Sequence, residues 1–199
     1  MIIPKSLDKH GNRSWKVTTV PDLEPVTVDE VKTFGRIDGD EEDAVVESGI
    51  KMVREASELY TGRSFIEQTI TLVMDFWPGI VIKLPRPPLI AITGIYTTDE
   101  DGDDTEYDSD YYLVDTVAEP GKVSIKRSHT PPTNTDRSYS GFKIVYTAGY
   151  GDEATDVPEL LRNAIKMWTM DYFDTREFDP KEPPIKVKNI LDFKKIPTI

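Results

Sequence analysis

The chain has 199 residues, 38% hydrophobic and 30% charged, with a formal net charge of −12, so it has apolar material for a core beneath a strongly acidic surface. The absence of cysteine excludes disulfides, zinc–thiolate sites and thiol nucleophiles, and the charge argues against a broad basic face for nucleic acid. No apolar run approaches membrane-span length and the N-terminus lacks the apolar centre of a signal peptide, so no membrane partner is expected.

Residues 1–25 show little periodicity and are punctuated by Pro4, Gly11, Pro21 and Pro25; they are expected to form an N-terminal arm, with Trp15 packed somewhere. Residues 27–35 read as a short helix. Thr27 and Glu30 form a T-x-x-E capping box, and Val26 and Val31 occupy the positions of a hydrophobic staple. Gly35 weakens or ends it. An acidic turn follows, in which Asp38 or Asp40 is placed to cap a second helix over 40–61. Glu41, Glu42 and Asp43 put negative charge at its first turn. Val45, Val46, Ile50, Val53, Ala56, Leu59 and Tyr60 recur at helical spacing, and Thr61-Gly62 supplies a left-handed stop.

From 65 to 148 the pattern shifts to period two, which predicts a compact antiparallel β region. Strands are expected at Ile66–Phe76, Ile80–Leu84, Leu89–Thr97, Tyr111–Val114, Lys122–Lys126 and Phe142–Thr147. Between the third and fourth lies an acidic connection, Asp99–Asp110, centred on the hairpin signal Asp101-Gly102. Ser128–Ser140 reads as a polar, proline-bearing loop. A third helix is predicted over 157–174, with Pro158 near its first position and an apolar stripe of Leu160, Leu161, Ala164, Ile165, Trp168 and Tyr172. Val46, Ile50, Val53, Leu161, Ile165 and Trp168 are the expected core, the third helix lying on the second. Pro180, Pro183 and Pro184 then interrupt the chain before a short last helix near Ile185–Phe193.

The residues offer few candidates for chemistry. Asp99, Asp101 and Asp103 imitate the start of a calcium loop, but Asp104 stands where the sharp turn needs glycine, and Asp110 where a bidentate glutamate belongs. The cluster Asp38, Asp40, Glu41, Glu42 and Asp43 has the donors for magnesium, yet helix capping explains it. His10 and His129 lie in loops with no serine–acid partners. Gly149 and Gly151 flank a turn, not a phosphate cradle. No catalytic residue, metal ligand or cofactor is therefore expected. From Lys181 onward the chain changes character: lysines 181, 186, 188, 194 and 195 face only Glu182 and Asp192, accompanied by Ile185, Val187, Ile190, Leu191, Phe193 and Ile196. Residues 177–199 thus suit a docking tail, or a segment that folds back onto its own body.

Four stretches in order resemble the head–tail connector family of tailed bacteriophages, also called adaptor or head-completion proteins, with relatives in gene-transfer agents. They are PVT-x-x-E-x-K with RIDGDEEDA and a helix ending YTGR, then LPRPPL at Leu84–Leu89, YTAGYG at Tyr146–Gly151, and DVPELLRNAI at Asp156–Ile165. The resemblance covers roughly Leu23 to Arg176. It implies a non-enzymatic virion protein of the neck, made in the host bacterial cytoplasm. Such a protein forms a ring, commonly of twelve copies, beneath the portal, extends the DNA channel and meets the stopper or tail. It also implies portal docking through the C-terminal segment, here Ile185, Lys186, Lys188, Ile190, Leu191, Phe193, Lys194 and Lys195. Duplex DNA would pass without specific binding, and Asp99, Asp101, Asp103, Asp104 and Asp108 are candidates for facing that channel.

The residues by themselves give an α+β protein. It is a helical bundle of two N-terminal helices, one long helix near the C-terminus and a short last helix or tail, carrying an inserted antiparallel β region. The connector body spans 26–176. Two other classes compete with the structural one: a metal-dependent nuclease or other processing enzyme using the acidic clusters, and a monomeric acidic protein that binds a basic partner.

Overall fold

The structure, a computed structural model, describes residues 13–133 and 137–196. Pro4, His10 and Gly11 of the expected arm, and the last three residues of the expected tail, lie outside the described residues. The fold is α+β, with four α-helices and antiparallel sheets among the described residues. The chain divides into two compact units, one holding the residues up to Val20 and Glu67–Gly149, the other Pro21–Ile66 and Tyr150–Ile199.

The second unit is helical. Its first helix, α1 (Val28–Gly35), begins as its sequence dictates. The Thr27 hydroxyl accepts the Glu30 N–H at 3.2 Å, and the Glu30 carboxylate accepts the Thr27 N–H at 2.9 Å. Val26 and Val31 are both buried beneath this cap. Gly35 is the last helical residue, and Arg36 takes the left-handed conformation at φ 55°. A Cβ there would meet the thioether of Met170, whose flexible end would have to move aside. The long helix α2 (Asp43–Thr61) ends at Gly62 with φ 73°. Its start differs from expectation. The N-cap is Glu42, with no side-chain capping bond, and Asp40 and Asp43 instead each accept a hydrogen bond from Lys32 Nζ at 2.7 Å.

Helix α3 (Glu159–Thr175) follows N-cap Pro158. It approaches α2 closely at Gly49, where a Cβ would stand 3.1 Å from the Tyr172 ring and 3.3 Å from Thr169. Val46, Ile50, Val53, Leu161, Ile165 and Trp168 are all in this unit's apolar core, none more than 2% exposed. Phe178 stacks on Trp168 with ring centroids 5.2 Å apart. Helix α4 (Ile185–Asp192) completes the unit and buries Val187 and Leu191 in the same core. An ionic cluster lies beside it. Arg54, 4% exposed, donates to both carboxylate oxygens of Glu24 at 2.7 and 3.2 Å and to Glu58 at 3.2 Å. Glu58 in turn accepts the Phe65 N–H at 2.7 Å.

The other unit consists of strands. A five-stranded sheet has the order β1 (Arg13–Thr19), β2 (Gln68–Met74), β8 (Phe142–Ala148), β4 (Leu89–Thr98), β5 (Asp104–Tyr107). A three-stranded sheet has the order β3 (Val81–Lys83), β7 (Lys122–Ile125), β6 (Tyr112–Asp115). All pairs are antiparallel. Inward residues of both sheets, among them Ile70, Leu72, Ile82, Ile95, Val123 and Ile144, share one apolar cluster. The strand positions agree with the sequence pattern to within a few residues.

Two strands differ from expectation. Residues 13–19, assigned to an arm, form an edge strand along β2, so the β unit is not simply an insertion in a helical bundle. Residues 104–107, assigned to an acidic connection, form the other edge, paired with Ile95–Thr98.

Candidate functional site

The acidic turn before α2 is a salt-bridged junction. Lys32 holds Asp40 and Asp43 together, and the hydrogen bond from Lys32 pulls the Asp40 carboxyl below its usual range. Two of the carboxylates suspected of binding magnesium thus share Lys32 as their ion-pair partner. Among the described residues, no group of three or more His, Cys, Asp or Glu is arranged to hold a metal ion. Gly149 has φ 145° in a turn tied by its own N–H to the Pro88 carbonyl, 3.0 Å away. His129 lies against Tyr111 in a ring stack of 4.1 Å.

The acidic hairpin β4–β5 is built from its own carboxylates. Asp99 accepts the Asp103 N–H at 2.8 Å, and Gly102, at φ 93°, makes the turn. Asp108 accepts the Asp110 N–H at 2.8 Å beyond the hairpin. Asp99, Asp101, Asp103 and Asp108 are exposed. Asp104 is different: it is paired with Lys143 and accepts the Thr98 hydroxyl at 2.7 Å. Burial alone would raise its pKa, but these two partners outweigh burial and lower it.

Of the two readings of the C-terminal segment, a docking tail or a segment folded back onto its own body, the structure shows the fold-back. Leu191 is 0% exposed in the helical core, and Ile190 packs against that core. Val187, Ile190 and Leu191, at i, i+3 and i+4, share one face of α4, and the helical core covers that face. Polar contacts fasten its end to the end of α2. The Tyr60 hydroxyl donates to Asp192 at 2.6 Å, Lys195 Nζ sits 4.1 Å from the Tyr60 ring centroid, and the Ile196 N–H donates to the Thr61 carbonyl at 2.8 Å. The Arg63 guanidinium donates to the Lys194 carbonyl. The bond to Asp192 pushes the Tyr60 pKa up to about 12. Of the residues named for docking, Ile185, 69% exposed, Phe193, 81% exposed, and Lys186, Lys188 and Lys195 face outward, while Lys194 is half-buried. The residues named for docking therefore divide into a buried anchoring set and an exposed set along α4 and just past its end.

Sequence reasoning missed Arg63, Tyr60 and Asp192 as fasteners. Only their contacts in space reveal them, because nothing in their local pattern departs from an ordinary helix end.

Residues 24–182 match the family model described as "Head completion protein". The chain belongs to the head completion protein family. Members are structural virion components, and the chain is not an enzyme. The fold is similar to that of a chain in a structure described as the neck of an empty GTA particle computed with C6 symmetry. That match has a TM-score of 0.78 at 18% identity and covers 93% of this chain and 96% of that one. A chain in a structure of the virion of a native gene transfer agent particle matches at TM-score 0.78 and 19% identity, with coverages of 93% and 96%. A third, in a neck of a native GTA particle computed with C12 symmetry, matches at 0.70 and 18%, with coverages of 92% and 96%. No curated protein matches the sequence significantly.

Proposed function

We propose that this head completion protein is a structural component of the virion neck. Twelve copies form a ring beneath the portal that lengthens the DNA channel and joins the capsid to the stopper or tail. The observation that carries this reading is the family match over residues 24–182, together with a fold likeness that spans almost all of a chain in a neck. Further support comes from charge. The net charge of −12 and the exposed hairpin acids Asp99, Asp101, Asp103 and Asp108 suit a wall past which DNA moves without adhering.

Portal docking is assigned to the exposed side of α4. Ile185 and Phe193 are its apolar anchors, and Lys186 and Lys188 its charged rim. The anchors set the lifetime of the complex and the lysines its rate of formation. Buried Leu191 and partly buried Ile190 leave the docking set. Co-sedimentation with portal rings tests this. Ile185→Asp with Phe193→Asp is expected to leave a folded protein, by circular dichroism, that no longer sediments with the portal. Undiminished sedimentation of that variant would remove α4 from the interface.

A further inference from the structure

Among the described residues, the five-stranded sheet ends in two strands that each have a neighbour on one side only, β1 and β5. An unpaired edge presents a row of backbone donors and acceptors and is a template for another strand. The two edges differ in charge. β1 carries Arg13 and Lys16 and no acid, whereas β5 carries Asp104 and Glu106 and no base. The register places the relevant side chains on common rows. Ser14, Val73, Lys143, Tyr96 and Glu106 form one row across all five strands. Trp15, Leu72, Ile144, Ile95 and Tyr107 form the next, which alternation puts on the opposite, core-facing side. Lys16 and Glu106 are both exposed and share the outer face. Four successive antiparallel pairings make β1 and β5 run in the same direction.

Beside β5 an open cleft of 260 Å³ is lined by Thr105, Glu106 and Tyr107, with Pro131 and Pro132 on its wall. Proline has no N–H to donate, so those two residues cannot complete a ladder along this edge.

We infer that β5 of one copy accepts β1 of the next, so that the sheet continues from subunit to subunit. This rests on the ring proposed above and names its contact. The occupant is a second copy because the complementary edge, of opposite charge and on the same face, belongs to this same chain. A contact between two different edges is head-to-tail, the kind that closes into a ring under rotation. An axis running along the strands brings β1 beside β5 in parallel orientation, with Lys16 toward Glu106 on the outer face. Asp104, already paired with Lys143, is not needed for it.

The test uses the lack of cysteine. Within one copy β1 and β5 are separated by four strand spacings, roughly 19 Å, far beyond the reach of a disulfide, which needs Cα atoms within about 7 Å. Lys16→Cys with Glu106→Cys, and Ser14→Cys with Glu106→Cys, are each oxidised mildly in the presence of portal rings and run on non-reducing gels. A ladder of covalent oligomers is expected from at least one pair, and none from the single variants. In parallel, Lys16→Glu and Glu106→Lys are each expected to reduce the ring fraction in native mass spectra at least tenfold, and the double reversal to restore it. Rings that form normally with no ladder from either pair, and with Lys16→Glu unaffected, overturn the edge contact. Lys16 would then be only a guard against edge aggregation. Failure of the unaltered protein to form any ring would instead overturn the neck reading.

Discussion

Replacing Leu191 by alanine separates a packed C-terminal helix from a free tail. Leu191 is 0% exposed in a core that also holds Val53, Leu161, Ile165 and Trp168. Truncating a buried leucine typically costs about 2–5 kcal/mol, the transfer term plus the cavity left behind. A midpoint cost of about 3.5 kcal/mol, at about 3 °C per kcal/mol for a chain of this size, lowers the melting temperature by about 10 °C. Phe193, two residues further on and 81% exposed, is the internal control. Its alanine variant is expected within about 0.5 kcal/mol of the unaltered protein. The assay is thermal melting followed by circular dichroism at 222 nm, which reports on the helices. A melting temperature for Leu191→Ala indistinguishable from that of Phe193→Ala would refute the packing argument and return the segment to a free tail.

Three other outcomes are expected. Trp168→Ala, at a position 2% exposed against Phe178 and the α2 face, should lose about 3–5 kcal/mol in the same melt; an unchanged melt would place the indole outside the core. Alkaline pH should loosen the end of α4. Tyr60 has a folded pKa of about 12 against an ordinary value of 10.0, so its contribution is complete below pH 10 and is lost as pH rises through 12; hydrogen exchange at Asp192–Ile196 should show this window, and Tyr60→Phe should abolish it. Duplex DNA should not shift in a gel with submicromolar protein at physiological salt, because no dense basic face opposes phosphate repulsion; a discrete retarded band would contradict the acidic-wall argument.

Much of this fold is legible in the residues because local and tertiary preferences agree. The capping box at Thr27 and Glu30, the Gly62 stop and the alternation through Ile70, Leu72 and Met74 each act within a few residues, and each appears in the structure where its spacing puts it. The two missed strands fail for opposite reasons. In β1, the alternation of Trp15 and Val17 is too short to stand out beside the surrounding prolines and glycines. In β5, Asp104 and Glu106 are poor strand formers in a run of only four residues, and the segment is held by its partner Ile95–Thr98. The close approach of α3 to glycines 35 and 49 is revealed by no local pattern. Arg54 and Glu58 look in sequence like an exposed i, i+4 pair, yet burial beside Glu24 makes them an interior ionic cluster. The C-terminal segment was ambiguous because the spacing of Val187, Ile190 and Leu191 serves an anchor helix and a core helix equally well.

The central claim, that this chain is a ring-forming neck component, is tested most directly by native mass spectrometry of the purified protein with portal rings. A closed assembly of twelve copies on the portal, retained after separation from free protein, is expected. A chain that remains monomeric beside intact portal at micromolar concentration would contradict it.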